Sequence, residues 1–428
     1  MKAVLMAGGK GTRISSVTNK IPKPMIKIEN KPVIEYEIEC LAKQGFTDII
    51  ITTGHLGNII MDYFGDGSGI SPATKKHFGV NIKYYFEEKP LGSAGALFEI
   101  QKLLKEDFLL LNADIMFDVD LKKFLKFHKK HGGLVTLFTH PNSHPFDSGL
   151  IVADENGMVE KWLSKEDTRP EYYKNCVNAG IHMINPVVFE KKPKIETIDL
   201  DRQILKPLAG TGKMFCYNSP EYVKDMGTPE RFYCVYEDFK LGRIKERNLR
   251  NKQKAIFLDR DGTINKYVGF LKNIEDFKLE DGVPEAIKRI NESGYLVIVV
   301  TNQPVIARGE VSKKQLMKIH NKMETLLGCQ GAYLDAIYYC PHHPDKGYKG
   351  EIPELKIECE CRKPNPGMLL QAAEDFNIDL NKSWIAGDSQ NDIKAGKYAG
   401  CKTALIGIGD FGQDITIKSL KEFTDKII

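Results

Sequence analysis

The sequence lacks an apolar run of the roughly 20 residues that a membrane-spanning helix needs. Its first residues offer only the short apolar stretch 3–7, after one lysine and before two glycines, which is too little for a secretory signal. These absences argue against a membrane protein and against a secreted one. We therefore expect a cytoplasmic protein without a membrane partner.

The chain also has little net charge and no pattern of paired cysteines. Its 61 lysine and arginine residues nearly balance 57 aspartate and glutamate residues, which leaves a net charge of +4 over 428 residues. This small excess gives little reason to expect a nucleic-acid partner, so we expect basic residues to meet small phosphorylated molecules instead. Nine cysteines are present and six of them are scattered, so a disulfide framework is not expected.

The length and the pattern of apolar residues predict two domains. A chain of 428 residues exceeds one ordinary core, and domains commonly have roughly 100 to 200 residues. Apolar runs alternate with helix-like stretches, as is typical of α/β units around a mostly parallel sheet, and this alternation restarts after a polar, basic segment. We predict an α/β domain over 1–240, a basic linker over 241–253 that is most simply a solvated tether, and an α/β domain over 254–428.

The first predicted strand, in "KAVLMAGGKGTR", runs into a glycine-rich turn. Glycines let backbone N–H groups approach phosphate oxygens, while Lys10 and Arg13 add positive charge. The turn is not a Walker loop, because the required Gly-Lys-Ser/Thr is absent. By itself it indicates either a phosphate site or an ordinary turn of an α/β fold.

Charged residues at three later positions favour the phosphate site. Lys23 lies between two prolines in "IPKPM", a stiff loop that holds an ammonium group with little entropy left to lose. Asp114 follows a predicted strand in "LLLNAD", and Asp225 precedes a turn in "YVKDMGTPE". The two carboxylates could meet at the carboxyl edge of one sheet, where they would suit a Mg²⁺ ion that carries substrate phosphates.

These motifs, together with "GSAGAL" and "NAG", make residues 1–240 resemble the sugar-1-phosphate nucleotidyltransferases, which contain counterparts in the same order. The resemblance implies a Rossmann-like sheet and attack of a sugar 1-phosphate on the α-phosphorus of a nucleoside triphosphate, with release of pyrophosphate. Positioning and charge neutralisation should dominate such a reaction. The chain reads "WLSKED" where the family often has Glu-Lys-Pro, which leaves the sugar open.

The same resemblance assigns roles to individual residues. It implies nucleotide contacts at Leu5, Ala7, Gly8, Gly9, Gly11, Thr12 and Gly92. It implies phosphate contacts by Arg13 and Lys23, Mg²⁺ ligation by Asp114 and Asp225, and sugar-phosphate contacts at Gly149, Lys165 and Asn178.

The second half opens with "IFLDRDGTIN", in which two aspartates follow a predicted strand. Asp259 can attack phosphorus as a nucleophile, while Asp261 can protonate the leaving oxygen and later deprotonate water. Further polar residues follow later strands or loops; they are Thr301, Asn302, Arg362, Lys363, Asp388 and Asp392. Asp259, the backbone carbonyl of Asp261, and Asp388 could hold Mg²⁺.

This order of motifs resembles the haloacid-dehalogenase superfamily of phosphatases, and a cysteine cluster narrows the resemblance. "YYCPHHPD" and "CECRKP" supply Cys340, His342, Cys359 and Cys361, a ligand set suited to tetrahedral structural Zn²⁺. Free buried thiols are the alternative, and His343 could replace His342. Such a zinc loop is similar to those of the heptose bisphosphate and histidinol phosphate phosphatases. The stretches that favour the heptose bisphosphate phosphatases are "TNQ", "IARG" and "CRKPNPGMLL". This resemblance also implies that Arg362 contacts the sugar phosphate.

One intermediate could join the two halves. A phosphatase that leaves an anomeric phosphate intact would supply a sugar 1-phosphate to the transferase, and heptose 1,7-bisphosphate meets this requirement. We expect loss of the 7-phosphate followed by nucleotidyl transfer, with GTP as the donor implied by resemblance. The alternatives are a hexose-1-phosphate transferase fused to a histidinol-phosphate-type or other sugar phosphatase, and a non-catalytic sensor or scaffold. The sequence leaves the anomer and the oligomeric state open.

Overall fold

A computed structural model describes residues 1–9 and 20–428. The chain divides into two compact units. The first unit comprises Met1–His140, Ile151–Trp162 and Asn178–Asn248, and the second comprises Pro141–Leu150, Leu163–Val177 and Leu249–Ile428. Both are α/β structures, which confirms the predicted fold class. Lys10, Gly11, Thr12 and Arg13 lie outside the described residues.

Strands and helices alternate through the part of the chain that precedes residue 249. Its strands are β1 Ala3–Ala7, β2 Lys27–Ile28, β3 Lys31–Pro32, β4 Asp48–Thr53, β5 Asn81–Phe86, β6 Phe108–Asn112, β7 Ile115–Asp118, β8 Val135–His140, β9 Leu150–Ala153, β10 Val159–Leu163, β11 Val177–Ile184, β12 Met214–Asn218 and β13 Tyr222–Asp225. Its α-helices are α1 Val33–Lys43, α2 Gly57–Phe64, α3 Gly95–Glu99, α4 Leu121–His131, α5 Pro229–Lys240 and α6 Arg243–Glu246.

The main sheet of this part is mixed. Among the described residues it runs in the order β10-β9-β11-β6-β1-β4-β5, with β8 paired to β11 and β12 paired to β8. β1 lies between β4 and β6, parallel to both, and its residues are apolar throughout because helices and strands cover both faces. The chain order reverses between β6 and β1, and in open α/β sheets ligands usually bind at the carboxyl ends of the strands at such a point.

β7 and β13 form a separate antiparallel ribbon outside the main sheet. Asp225 is paired with Ile115 in this ribbon, so it lies beside Asp114. The two aspartates therefore meet as the sequence predicts, but on this ribbon rather than at the edge of one parallel sheet. Antiparallel pairing brings the end of one strand to the start of its partner, which is why they meet here.

The second unit contains a parallel sheet with helices on both faces. Its strands are β14 Ala255–Leu258, β15 Leu296–Asn302, β16 Ala336–Cys340, β17 Trp384–Gly387, β18 Lys402–Ile406 and β19 Ile415–Ile417. Its helices are α7 Val283–Glu292, α8 Lys313–Gly328, α9 Gly367–Phe376, α10 Gln390–Ala399 and α11 Leu420–Ile427. The strand order is β16-β15-β14-β17-β18-β19, so the chain order reverses beside β14.

Alternate residues of β14 belong to two cores. Ile256 and Leu258 pack with residues of α7, α8 and α11, whereas Ala255 and Phe257 pack with residues of α9 and α10. Burial on both faces explains the uninterrupted apolar run that the sequence shows at this strand.

Shorter helical turns complete the fold. They are 3-10 turns at Lys23–Met25, Gln101–Leu103, Pro145–Asp147, Pro186–Phe189, Lys206–Leu208, Ile274–Asp276, Pro353–Leu355 and Leu380–Lys382, and a π-helix at Leu200–Leu205. The basic segment 241–253 contains α6 and several buried side chains, including Leu249 and Gln253. In the part of the chain that the structure describes, none of the helices has the length and apolar character that crossing a bilayer requires.

Candidate active sites

The second unit brings polar side chains together at the carboxyl ends of three neighbouring strands. Asp259 directly follows β14, Thr301 and Asn302 end β15, and Asp388 directly follows β17. The chain order reverses beside β14, and ligands of doubly wound sheets usually bind at the carboxyl ends of the strands at such a point.

Lys363 is the centre of this group. Its Nζ donates to Asp259 Oδ1 at 2.7 Å, to Asp392 Oδ1 at 2.5 Å and to the Val300 carbonyl at 2.7 Å. The lysine is 3% exposed, and a buried ammonium group needs such partners. Burial by itself would lower its pKa, but the two carboxylates outweigh burial and raise the pKa above the ordinary value.

Three carboxylates at this site form a candidate cation site. Oxygen atoms of Asp259, Asp388 and Asp392 lie within 4.8 Å of one another. Burial raises the pKa of Asp259 to about 7, although Lys363 acts against it. Burial and then the neighbouring Asp392 raise the pKa of Asp388 to about 6. Carboxylates so placed repel one another, and a divalent cation with oxygen ligands relieves that repulsion.

Asp392 both belongs to the three-carboxylate group and bonds to Lys363. From the sequence, Mg²⁺ was expected only at Asp259, the Asp261 carbonyl and Asp388. Asp392 Oδ1 accepts from Lys363, and its Oδ2 accepts from Ser389 N at 3.1 Å and Ser389 Oγ at 2.6 Å. These bonds hold Asp392 at the start of α10, where it positions Lys363.

Other side chains hold the Asp261 carboxylate apart from the three-carboxylate group. Arg260 Nη2 donates to both of its oxygens at 2.7 and 2.9 Å, Gln303 Nε2 donates at 3.0 Å and Asn265 Nδ2 donates at 3.1 Å. Arg260 is fully buried. Sequence reasoning missed Arg260 and Gln303, although the arginine between the two aspartates was a visible signal.

Thr301, Asn302 and Arg362 contact protein groups near this centre. Thr301 Oγ1 accepts from Gln303 Nε2 at 2.9 Å. Asn302 Oδ1 accepts from Lys363 N at 3.0 Å and its Nδ2 donates to the Lys363 carbonyl at 2.9 Å, so it fixes the lysine backbone. Arg362 Nη1 donates to the His342 carbonyl at 3.2 Å, which links it to the cysteine cluster.

Pro304 and Val305 lie in the loop after Asn302. Val305 is buried in a small apolar cluster with Ile306, Val311 and Leu316. Its side chain therefore serves the packing of this loop.

The four residues predicted to bind zinc lie together. Cys340 Sγ is 3.5 Å from Cys359 Sγ and 3.2 Å from Cys361 Sγ, and the latter two sulfurs are 3.3 Å apart. His342 Nδ1 lies 3.4 Å from Cys361 Sγ and 3.7 Å from Cys340 Sγ. Ligands around tetrahedral Zn²⁺ with Zn–S bonds of about 2.3 Å lie about 3.8 Å apart, so this donor set fits the ion with a small expansion.

His343 lies outside this cluster. Its Nδ1 accepts from the backbone N–H of Asp345 at 3.2 Å, and the candidate metal group contains His342 instead. The geometry therefore distinguishes two histidines that the sequence could not.

In the first unit, Asp114 and Asp225 are each paired with a cation. Lys23 Nζ forms an ion pair with Asp114, and Arg231 Nη1 contacts both Asp225 oxygens at 2.9 and 2.8 Å. Burial would raise the pKa of Asp225, but Arg231, the Gly227 N–H and Lys23 together outweigh burial and lower the pKa. The Met226 N–H donates to the Asp114 carbonyl at 3.1 Å, which joins the two positions. Arg231 was not predicted from the sequence, although it lies shortly after the Gly-Thr-Pro stretch at 227–229.

Among the residues implied in nucleotide binding, the structure describes Leu5, Ala7, Gly8, Gly9 and Gly92, which lie in β1, directly after it, or in a loop before α3. Leu5 and Ala7 are buried in the core, so their side chains serve packing, whereas Gly8 and Gly9 follow the strand. Gly92 has φ +82, and a Cβ there would lie 2.4 Å from the Ile198 carbonyl oxygen, so a side chain is excluded.

The three residues implied in sugar-phosphate binding differ in setting. Lys165 Nζ is exposed and donates to Asp147 Oδ1 at 2.6 Å. Gly149 and Lys165 belong to segments of the second unit, while Asn178 begins a segment of the first. Asn178 lies on β11, where its Oδ1 accepts from His182 Nε2 at 3.0 Å.

Two family models match different parts of the chain. The family model described as nucleotidyl transferase matches residues 2–240, which is more than half of the chain. The chain belongs to the nucleotidyl transferase family. A second model, described as HAD-hydrolase-like, matches residues 360–424. The protein thus combines a nucleotidyl transferase with a HAD-like hydrolase, and it is a bifunctional enzyme.

Two curated relatives match different halves of this nucleotidyl transferase family member. The D-glycero-beta-D-manno-heptose-1,7-bisphosphate 7-phosphatase of Pasteurella multocida is 46% identical over 154 residues, which are 36% of this chain and 81% of that protein. The mannose-1-phosphate guanyltransferase of Pichia angusta is 31% identical over 244 residues, which are 55% of this chain and 64% of that protein. Among solved structures, HddC from Yersinia pseudotuberculosis matches with a TM-score of 0.46 and 25% identity, over 56% of this chain and 99% of that one.

Proposed function

We propose that this enzyme makes a nucleotide-activated heptose in the cytoplasm by two reactions. The hydrolase removes the 7-phosphate of D-glycero-D-manno-heptose 1,7-bisphosphate. The nucleotidyl transferase then joins GMP from GTP to heptose 1-phosphate and releases pyrophosphate. The observation that carries the proposal is the 46% identity over 154 residues to a heptose bisphosphate 7-phosphatase on a chain whose other half is a nucleotidyl transferase.

The chemistry of the intermediate supports this order of reactions. A 7-phosphatase leaves the phosphate on the anomeric carbon, and that phosphate is the nucleophile that a sugar-1-phosphate nucleotidyltransferase requires. Removal of the distal phosphate first therefore supplies the transferase with its substrate.

In the hydrolase, Asp259 supplies the nucleophile. Because Lys363 holds Oδ1 at 2.7 Å, Oδ2 is the oxygen that can attack the phosphorus. The bond from phosphorus to the sugar oxygen breaks, and Asp261 gives its proton to that oxygen. Asp261 then takes a proton from water, which attacks the aspartyl phosphate and releases inorganic phosphate. Lys363 offsets the negative charge of Asp259 and Asp392 beside the phosphoryl group.

Two metals fit the described residues. Asp259, Asp388 and the Asp261 backbone carbonyl would hold Mg²⁺, which would offset the negative charge of the phosphate, with Asp392 beside them. Cys340, His342, Cys359 and Cys361 would hold a structural Zn²⁺, because three thiols and one imidazole are a tetrahedral donor set and their donor atoms need only a small expansion to fit the ion.

In the transferase, the residues around the β7–β13 ribbon bind and orient phosphates. Asp114 and Asp225 would hold a second Mg²⁺ bound to the triphosphate, and Lys23 lies beside Asp114 to contact phosphate oxygens. A sugar 1-phosphate oxygen attacks the α-phosphorus, and the bond to the β-phosphate oxygen breaks as pyrophosphate leaves. Arg13 is proposed to act on the same phosphates.

A second candidate substrate for the transferase is a hexose 1-phosphate. The 31% identity to a mannose-1-phosphate guanyltransferase favours it. A sensor or scaffold without catalysis is disfavoured, since the residues proposed for catalysis are all present and Lys363 contacts Asp259 at 2.7 Å.

Incubation with heptose 1,7-bisphosphate and each nucleoside triphosphate, with product masses recorded, tests the proposal. We expect inorganic phosphate, pyrophosphate and a GDP-heptose. In a parallel incubation, a nucleotide sugar formed from mannose 1-phosphate but not from heptose 1-phosphate would establish a hexose 1-phosphate as the transferase substrate. Phosphate release without any nucleotide sugar from heptose 1-phosphate or mannose 1-phosphate would contradict the transferase assignment.

A further inference from the structure

His182 lies on the same face of β11 as Asn178, for which the family resemblance implies a contact with the sugar phosphate. Ala179, Ile181 and Met183 point to the opposite face and belong to the main core of the first unit. Side chains alternate between the faces of a strand, so Asn178, Gly180 and His182 share the face away from that core.

Gly180 allows the two polar side chains to meet. It has φ +75, and a Cβ there would lie 2.6 Å from Asn112 Nδ2. Only glycine accepts this combination of a left-handed backbone and close contact. The bend brings Asn178 and His182, four residues apart, within 3.0 Å of each other. Asn112 ends β6, two residues before Asp114, so this bend lies next to the residues of the predicted metal site.

The hydrogen bonds at Asn178 fix which way its amide points. Its Oδ1 accepts from His182 Nε2 at 3.0 Å and from the Gly180 N–H at 3.3 Å. Both donors face the oxygen, so the amide NH₂ group is directed to the other side, where it can donate. The bond from Gly180 is the longer of the two, which makes His182 the main constraint.

His182 is suited to this task because it remains neutral. Its side chain is 1% exposed, and burial lowers its pKa to about 3. A neutral imidazole has one N–H, and donation from Nε2 leaves Nδ1 as an acceptor. Nδ1 is buried without a hydrogen-bond partner among the described residues. The link to Asn178 is therefore the polar contact that accounts for a histidine at this position.

We propose that His182 is a positioning residue of the nucleotidyl transferase, which holds the Asn178 amide so that its NH₂ group donates to the sugar 1-phosphate. This inference rests on the proposed function. It adds a residue that does not touch the substrate but sets the affinity for it.

Steady-state kinetics of the full-length enzyme test this role. His182→Phe keeps a ring of similar size and removes the donor, so the KM for the sugar 1-phosphate should rise on the order of tenfold. The KM for the nucleoside triphosphate and the phosphatase rate should stay close to wild type. His182→Gln keeps an N–H near the position of Nε2 and should restore most of the affinity. Asn178→Ala combined with His182→Phe should bind no more weakly than Asn178→Ala, because the two residues act through one amide.

His128 provides a matched control. It is a second buried histidine of the first unit, bonded to Thr136 Oγ1 at 2.8 Å and to Asp107 Oδ2 at 3.3 Å. His128→Phe should lower the melting temperature without raising the KM for the sugar 1-phosphate. An equal rise of this KM in both histidine variants, or an additive effect with Asn178→Ala, would show that His182 is merely structural. A wild-type enzyme that transfers nucleotide to no sugar 1-phosphate would overturn the proposed function itself, and with it this role.

Discussion

The two candidate sites are assembled in different ways. In the hydrolase, side chains that follow strands of one parallel sheet contact one another directly, and Lys363 is buried between Asp259 and Asp392. In the transferase, the two aspartates lie on a separate ribbon, and each is paired with its own cation. A substitution in the hydrolase therefore disturbs a shared network, whereas one in the transferase mostly disturbs a single contact.

Asp259→Asn should have the largest effect and separate the two activities. The amide has the same shape but cannot attack phosphorus, so phosphate release should fall by about 10⁴-fold or more. Nucleotidyl transfer from supplied heptose 1-phosphate should stay near wild type. Both rates are measured on one preparation, and loss of both would show that the sites depend on each other.

Asp114→Asn is the reciprocal change. It removes a charge from the proposed metal site on the ribbon, so nucleotidyl transfer should fall by about 10²- to 10³-fold. Phosphate release from heptose 1,7-bisphosphate should continue, as measured by a colorimetric phosphate assay. Transfer that is as fast as in the wild type would remove Asp114 from the metal site.

Cys359→Ser should empty the zinc site of the hydrolase. Elemental analysis should find about one Zn²⁺ per chain in the wild type and much less in this variant, because the ion loses a thiolate ligand. Cys401→Ser is the control, since Cys401 is a buried cysteine outside the cluster. An unchanged zinc content in Cys359→Ser would exclude this ligand set.

Two lysine substitutions compare the stability of the sites. Lys363→Met leaves two buried carboxylates without their shared cation and should lower the free energy of unfolding by about 3–5 kcal/mol. Lys23→Met should cost on the order of 1 kcal/mol, because its partner Asp114 is 29% exposed and partly hydrated. Scanning calorimetry of both variants checks this order. Equal losses would mean that the transferase site is as tightly coupled as the hydrolase site.

Much of the hydrolase site could be predicted from the sequence. Asp259, Thr301 and Asp388 end or follow apolar runs, and the carboxyl ends of parallel strands meet at one edge of a sheet. The direction in which a side chain turns leaves no such pattern. The contact of Arg260 with Asp261 could therefore not be predicted from the sequence. The same holds for Gln303, which bonds to both Thr301 and Asp261.

In the transferase site, the sequence predicted which aspartates converge better than it predicted how the fold brings them together. Asp114 and Asp225 were expected to converge, but the antiparallel ribbon that brings them together depends on a pairing 110 residues apart, which periodicity does not show. The contact between His182 and Asn178 likewise depends on the bend at Gly180, which becomes visible only when Asn112 of the neighbouring strand is in place.

The sequence by itself determined the two α/β units, the order of their motifs and the three cysteines of the cluster, because apolar periodicity and ligand chemistry are local properties of a chain. Only the tertiary structure decided which cation neutralises which carboxylate, which histidine joins the cysteines, and how the Asn178 amide is turned. Those choices depend on distances between segments far apart in the chain, and such distances are set when the core packs.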